Sequence, residues 1–241
     1  MMWKKLKAYP PLRAGLAALM YAQQGNRRRV QGKHNTIQIE TSGTLPFLQQ
    51  VTFEMGGEHN TIVIAPGVQL RNTQIQIHGS HNRIVIGAGC QIQGGHLWIN
   101  DDCCRLEIGA NTTIAGATIG LADPHAEITI GSDCMLSHDI DIRCGDSHAI
   151  LDLRTDRRIN LARYIHIDDH VWLGMQVRVL KNVRIGHNSV IAAGSIVTKD
   201  IPACAIAAGV PAAVKRQDIT WSRVKVPMTI PQEELCYGSA L

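Results

Sequence analysis

The hydrophobic pattern with the clearest period lies between residues 167 and 201. Branched aliphatic residues recur there at every sixth position, and a small or β-branched residue precedes each later one by two positions. A period of six fits neither an amphipathic helix nor a half-buried strand, but it is typical of a parallel β-helix built from hexapeptide steps. We therefore predict short strands on the faces of a triangular coil, with both sets pointing inward. The first set is Ile167, Leu173, Val179, Ile185, Ile191 and Val197, and the second is Val171, Val177, Val183, Ser189 and Ser195.

A longer repeat precedes this stretch. The sequences HNTIQI, HNTIVI and HNRIVI begin at His34, His59 and His81, and two weaker copies end at Ile108 and Ile130. The final isoleucines of the five copies are 25, 22, 22 and 22 residues apart, so each copy predicts one coil whose extra residues lie at a corner. Because Asn tolerates left-handed backbone, we expect each His-Asn pair to form a corner, with the histidines structural rather than ligands. About eight coils are predicted in all.

The six-residue period stops after Ile142. Residues 143–166 have no such period, and they contain five Arg and three Asp. An insertion in a solenoid is expected to leave from a corner as an extruded loop, and such loops often carry function. Its arginines are candidates for binding an acidic sugar, or equally for pairing with neighbouring carboxylates: Arg143, Arg154, Arg157, Arg158 and Arg163.

Both ends of the chain are predicted to lie outside the solenoid. Residues 1–33 form a basic segment with a helix predicted over residues 1–29, residues 34–216 form the β-helix domain, and residues 217–241 form a tail that covers the last coil. Two interpretations of the helix stay open, a cap on the open end of the solenoid and a basic amphipathic helix on a membrane surface. Its apolar run, residues 14–21, is too short to span a bilayer.

Charge and composition sharpen this picture. The net charge is +4, but residues 1–39 hold eight basic and no acidic side chains, so the other 16 basic and 20 acidic side chains sum to −4. This asymmetry predicts that the N-terminal part meets an anionic surface or polymer. Aromatic residues are only 4% and Gly numbers 22, which suits a thin prism with tight corners.

The cysteines indicate the compartment. The seven Cys have no metal-type spacing, and their odd number argues against a disulfide framework. Cys90 and Cys134 each fall four residues after an inward Ile, where the repeat requires a small inward residue. We therefore expect structural, reduced thiols and a cytoplasmic protein.

Several motifs carry a family resemblance. HVWLG at 170–174, VIAAGSIVTKDIP at 190–202 and AGVPAAVKR at 208–216 together resemble the left-handed β-helix, hexapeptide-repeat acyltransferases. GDSHAILD at 145–152, followed by RRIN at 157–160, is similar to the bacterial polysaccharide and sialic-acid O-acetyltransferases. The resemblance implies an all-β, left-handed parallel β-helix of hexapeptide repeats, with a short N-terminal helix and an extruded loop.

The resemblance also implies an activity and its residues. Acetyl-CoA would be the acyl donor, and a carbohydrate hydroxyl would be acetylated by direct transfer. By motif match His148 is the general base, a role that suits an imidazole near pH 7, unless local hydrogen bonds occupy it. Trp172, expected to face outward, matches the residue that borders the acetyl site and would steady the thioester or the oxyanion; packing between subunits is the alternative. The implied cofactor-binding residues are Trp172, Gly174, Ala192, Ala193, Thr198, Lys199 and Lys215.

The implied partners are a homotrimer, a carbohydrate acceptor from a capsule or lipopolysaccharide precursor, and peripheral contact with the inner face of the membrane. No metal and no nucleic acid are expected. Two alternatives stay open: a non-catalytic scaffold or sugar-binding module, and a zinc enzyme similar to the gamma-class carbonic anhydrases. The zinc alternative would use His148, His166 and His170, although their spacing does not fit the pattern of that family.

Overall fold

The chain forms an all-β, left-handed parallel β-helix of triangular cross-section. The computed structural model describes residues 24–225, and its regular elements within that range are 22 strands, with no helix. Almost all pairing between strands of successive coils is parallel, as the hexapeptide period predicts. We call the three walls face A, face B and face C, because the chain passes through them in that order in each coil.

The strands are distributed over the faces as follows. Face A contains β3 (Phe47–Gln49), β10 (Thr113–Ile114), β13 (Met135–Leu136), β16 (Trp172–Leu173), β19 (Val190–Ile191), β21 (Ile206–Ala208) and β22 (Ala213–Arg216). Face B contains β1 (Arg27–Val30), β4 (Thr52–Met55), β11 (Ala117–Leu121), β14 (Ile140–Cys144), β17 (Arg178–Leu180) and β20 (Ile196–Val197). The long strands β6 (Gln69–Ile77) and β8 (Gln91–Ile99) bend from face A to face B. Face C contains β2 (Thr36–Ile39), β5 (Thr61–Ile64), β7 (Arg83–Ile86), β9 (Arg105–Ile108), β12 (Glu127–Ile130), β15 (Tyr164–Ile167) and β18 (Val183–Ile185).

The predicted inward register is confirmed. All residues of the two sets that recur between 167 and 201 are buried in one continuous core, Ser189 and Ser195 included. Cys90 and Cys134 are likewise buried free thiols, and burial raises the pKa of each to about 11. Each buried Ile or Leu contributes about 1.5–3 kcal/mol relative to an exposed one, so a stack of such coils needs few aromatic rings.

The corner between faces B and C departs from the prediction in one detail. His34, His59 and His81, not the asparagines, adopt left-handed backbone, with φ of 58°, 58° and 60°. The asparagines instead point inward, because their side chains form hydrogen bonds between coils. The Asn60 Oδ1 accepts the Asn82 N–H at 2.9 Å, and its Nδ2 donates to the Gly56 carbonyl at its own corner and to the Gly79 carbonyl of the next coil, each at 2.8 Å. The histidines are structural here: their rings stack at 4.6 and 5.0 Å.

The extruded loop is shorter than predicted. Arg143 and Cys144 still belong to β14, and β15 begins at Tyr164, so the loop spans residues 145–163. It leaves from the corner between faces B and C, where the coil returns from β14 to β15. The reason is that Cys144 and Ile165 both fill inward positions, which keeps their strands in the coil.

Both ends of the described chain also differ from the prediction. The helix predicted over residues 1–29 lies mostly outside the described residues, and its last part is strand, because Arg27–Val30 pair with β4. The described part of the tail, residues 217–225, runs back along the corner between faces C and A, and the rest of the predicted tail lies outside the described residues. The Ile219 N–H donates to the Cys204 carbonyl at 3.1 Å, and the Arg223 Nε reaches Asp133 Oδ1 at 2.8 Å.

Candidate active site

The loop carrying His148 begins with two unusual backbone conformations. Gly145 has φ of 144°, and a Cβ there would lie 2.8 Å from the Ala122 carbonyl carbon, so only glycine fits this exit. Ser147, directly before His148, has φ of 62°, a left-handed conformation that is uncommon outside glycine. His148 itself is exposed. The loop therefore turns sharply away from the prism and presents an imidazole to solvent.

Asn160 holds this part of the loop in place. It is buried to 8% exposure, and its Nδ2 donates to the His148 carbonyl at 2.8 Å and to Asp146 Oδ2 at 2.7 Å. Its Oδ1 accepts the Ile150 N–H at 2.9 Å and the Arg158 Nε–H at 3.0 Å. One amide thus fixes the residues on both sides of His148, although sequence reasoning named it only as part of a motif.

Asp123 fixes the returning half of the loop. This buried carboxylate accepts the Arg158 Nη2 at 2.6 Å and the Ala162 N–H at 2.8 Å. A buried charge is tolerated only where it is paired and hydrogen-bonded, and both conditions are met here. Sequence reasoning missed Asp123 because it lies one coil before the loop, at the same corner, in a stretch without any motif. An acidic residue inside an otherwise apolar repeat is the one signal that marks it.

Asp146 is paired on its other side with Lys181. Partial burial opposes its ionisation, but the hydrogen bonds from Lys181 and Asn160 outweigh that effect and hold the pKa of Asp146 below its ordinary value. The carboxylate is therefore ionised at neutral pH. It joins the outgoing end of the loop to the next coil.

Trp172 faces outward from face A, as predicted, and 37% of it is exposed. Its neighbour is Trp221 of the tail, at 6.0 Å between ring centroids. Trp221 in turn stacks on His170 at 4.1 Å and donates its Nε1–H to the His170 carbonyl at 2.7 Å. The His170 Nδ1 lies 2.7 Å from Asp133 Oδ2. The tail thereby packs one side of the ring that sequence reasoning singled out.

The cofactor-binding candidates lie on three sides of the C-terminal coils. Gly174, Ala192 and Ala193 lie at the corner between faces A and B. An open concavity of about 440 Å³ follows along the chain, and it is lined by Asp139, Gln176, Arg178, Gly194 and Ile196. Thr198 and Lys199 are exposed at the next corner, and Lys215 is exposed on β22. One prism therefore does not gather all of them in a single groove.

Their backbone groups are only partly available to a ligand. The Gly174 N–H donates to the Ile191 carbonyl at 2.8 Å, and the Ala192 N–H donates to the Ala207 carbonyl at 2.9 Å. Among these three residues, the Ala193 amide alone has no acceptor within residues 24–225. Added side chains would not fit at Gly174, because a Cβ there would approach the Ala193 nitrogen to 2.7 Å.

His148 and Trp172 do not meet within one protomer. The loop leaves between faces B and C, whereas Trp172 lies on face A, across a different corner of the prism. A site that uses both side chains needs two prisms side by side.

The histidines of the zinc alternative also lie apart. His166 on face C bonds Glu127 at 2.6 Å, His170 bonds Asp133, and His148 is on the extruded loop. Within the described residues no group of three or more potential metal ligands occurs. Within the described protomer, these three histidines therefore do not share a donor set.

Residues 164–199 match the family model described as bacterial transferase hexapeptide (six repeats). The solved structure of the polySia specific acetyltransferase NeuO superposes with a TM-score of 0.75 at 32% identity, over 84% of this chain and 91% of that one. This chain belongs to the hexapeptide-repeat acyltransferases. A second structure of this acyltransferase fold, the polysialic acid O-acetyltransferase OatWY, superposes with a TM-score of 0.77 at 28% identity, over 87% and 96% of the two chains.

Curated relatives align with this acyltransferase over shorter segments. The polysialic acid O-acetyltransferase of Escherichia coli O1:K1 / APEC is 35% identical over 104 residues, which are 43% of this chain and 34% of that protein. The galactoside O-acetyltransferase of Lactococcus lactis is 58% identical over 53 residues, 22% and 26% of the two chains. The matched parts thus span about a third or less of these relatives. Separately, no helix within residues 24–225 is long and apolar enough to cross a bilayer.

Proposed function

We propose that this protein transfers an acetyl group from acetyl-CoA to a carbohydrate hydroxyl, with His148 as the general base. The observation that carries the proposal is the exposed imidazole on a loop fixed by Asn160, in a chain that aligns over 91% of a polySia specific acetyltransferase. A scaffold without chemistry would not need a loop built around one solvent-facing His.

The reaction proposed is a direct transfer. His148 removes the proton from the acceptor hydroxyl as that oxygen attacks the thioester carbonyl. The new C–O bond forms, the C–S bond breaks as the tetrahedral intermediate collapses, and the thiolate of CoA takes the proton back from the imidazolium. No acyl-enzyme is proposed: within residues 24–225 no hydrogen bond joins the His148 ring to a Ser or Cys side chain. The Cys nearest along the chain, Cys144, is buried, and burial raises its pKa to about 12.

The donor would lie between two copies of the chain. In a homotrimer, the loop of one prism can reach Trp172 of its neighbour, which would border the acetyl group and the oxyanion. Gly174, Ala192 and Ala193 would face the pantetheine arm along the corner between faces A and B. The exposed Lys199 and Lys215 would attract the phosphates.

The acceptor is proposed to be a capsular polysaccharide or lipopolysaccharide, modified at the inner face of the membrane in the cytoplasm. Arg27, Arg28 and Arg29 are exposed in β1, and they continue the basic N-terminal segment. Since β1 belongs to the solenoid, a truncation that tests membrane contact should end at residue 23. The truncated protein is expected to bind anionic liposomes more weakly than the full chain, and equal binding would refute the membrane contact.

The function is tested by measuring free thiol release from acetyl-CoA with a panel of bacterial polysaccharides, for the wild type and for His148→Ala. The expected result is release that depends on an acceptor and falls by about 10²–10⁴-fold in the variant, the usual contribution of a general base. His125→Ala, another exposed corner imidazole, is the matched control and should retain activity. No release with any acceptor, together with no CoA binding, would favour the scaffold interpretation.

A further inference from the structure

The outer surface of face B carries an aromatic side chain that the core does not use. Trp98 lies on β8 between the inward Leu97 and Ile99, so its indole points away from the core. The ring occupies the space above Gly120 in the next coil: a Cβ on Gly120 would lie 2.1 Å from the Trp98 Cε2 and Cζ2 atoms. Glycine at 120 therefore lets the indole lie over the neighbouring strand, half-buried and partly open to solvent.

Polar groups of fixed orientation border this ring. His96, two residues before Trp98 on the same side of β8, lies 2.9 Å from Gln76 Oε1 through its Nε2. Since a carbonyl oxygen accepts only, His96 Nε2 is the donor, and its Nδ1 is left as an acceptor because burial lowers the pKa of His96 and favours the neutral ring. The Trp98 Nε1–H has no acceptor within residues 24–225. The surface thus offers a flat apolar ring, a free donor and a free acceptor.

This surface leads towards the catalytic loop. Position by position, Gln76, Trp98, Gly120 and Arg143 follow one another along face B. Arg143 is two coils from Trp98, about 10 Å at the spacing of paired strands, and the loop starts two residues after it at Gly145. The Arg143 Nε bonds Asp141 at 3.1 Å, and half of its side chain is exposed.

We propose that Trp98, with Gln76 and His96 beside it and Arg143 between it and the loop, forms a distal acceptor subsite for an acidic glycan chain. The proposal rests on the proposed function and adds that the acceptor is a polymer. One sugar ring would pack on the indole, as sugars and other amphipathic groups pack on Trp at binding surfaces, and Arg143 would pair with a carboxylate of the chain. A sugar a few units further along would then reach His148.

The test compares long and short acceptors. Acetylation of polysialic acid and of a sialic acid dimer is measured for the wild type, Trp98→Ala and Gly120→Ala, in which the added Cβ displaces the indole while Trp98 remains. Both variants are expected to raise KM for the polymer about tenfold, the loss typical of an aromatic contact, and to leave kcat and the dimer's kinetics unchanged. Gln93→Ala is the control, because Gln93 is an exposed residue in the face A part of the same strand. It should behave as wild type.

A binding measurement separates this proposal from the reaction itself. Polysialic acid binding is measured on His148→Ala and on the same protein with Trp98→Ala added, so no turnover is needed. About tenfold weaker binding in the double variant supports the subsite even if the chemistry is assigned wrongly. The proposal would be overturned if the two proteins bound polysialic acid equally or if His148→Ala did not bind it. It would also be overturned if Trp98→Ala raised KM equally for the dimer and the polymer. If adding Trp98→Ala changed the sedimentation mass but not the binding of polysialic acid, Trp98 would instead be assigned to packing between copies of the chain.

Discussion

At the scale of single residues, Asn160 is the side chain on which the geometry of His148 depends. Asn160→Ala removes four hydrogen bonds at once, to the His148 carbonyl, Asp146, the Ile150 N–H and Arg158. Misplacing a catalytic group by about 1 Å can cost 10²-fold in rate. We expect kcat to fall by about that factor while the solenoid stays folded, as thiol release and circular dichroism would measure.

The control for Asn160 lies in the same loop. Thr155→Ala removes only a 3.2 Å contact with Asp152 at the exposed tip, so its kcat should stay within about twofold of wild type, since surface changes of this kind cost little. A rate for Asn160→Ala as high as that of Thr155→Ala would show that the loop positions His148 by other means.

Asp146 gives the loop a pH dependence with a definite sign. Its pKa is lowered in the folded protein despite partial burial, through Lys181 and Asn160, so the stabilisation is present above the ordinary carboxyl pKa of about 4 and is lost as pH falls through the lowered value. Asp146→Asn should therefore have a lower thermal midpoint than wild type at pH 7, and the difference should shrink below about pH 4. Asp156→Asn, whose carboxylate has no ion-pair partner among the described residues, should show no such trend; a difference for Asp146→Asn that persists into acid would contradict the assignment.

The contacts that hold the His148 loop in place could not be predicted from the sequence. His148 could be named because a motif marks it, but its supports lie far away in sequence: Asp123 is 35 residues from Arg158, and Lys181 is 35 residues from Asp146. No local spacing records such contacts. They exist only because the coil places residues of successive turns side by side.

At the scale of the elements, stability should follow the inward register. Leu106 on β9 is fully buried, whereas Leu180 on β17 is 40% exposed on the outer side of face B. Leu106→Ala should lower the free energy of unfolding by about 2–5 kcal/mol, the range for a buried Leu that leaves a cavity. Leu180→Ala should cost well under half of that, since little apolar area is removed from the core. Urea denaturation of the two variants measures the contrast, and similar losses would mean that the register does not govern stability.

The six-residue period predicts which residues point inward, but it does not predict the backbone conformation at the corners. The period of six placed every inward residue from Ile167 to Val197 correctly, because burial repeats with the coil. The corners were less predictable: His34, His59 and His81 take the left-handed position, although Asn tolerates it better. The asparagine amides are used instead for hydrogen bonds between coils, a demand that a single repeat does not reveal.

At the scale of the whole molecule, the tail joins parts that the sequence keeps apart. Trp221 lies 51 residues from His170, yet it stacks on that ring beside Trp172, and Arg223 reaches Thr113, 110 residues away. A tail without a repeat has no register from which to predict its path. Its contacts mean that one flank of Trp172 is already filled within the protomer. An acetyl group bound at Trp172, as proposed, would therefore approach from the other flank, where a second prism would lie.

The separation of His148 and Trp172 across the prism gives the sharpest test of assembly. If each site takes its imidazole from one subunit and its indole from the next, His148→Ala and Trp172→Ala proteins are each weakly active alone but can complement each other in mixed trimers. In a closed ring of three, every mixed trimer has one site with both native side chains, so the doubly purified mixed trimers should regain about one third of the wild-type sites. Co-expression with two different affinity tags, followed by thiol release from the doubly purified species, measures this. Activity no higher than that of the single variants would show that His148 and Trp172 do not share a site between subunits. Wild-type protein that sediments as a monomer would refute the trimer itself.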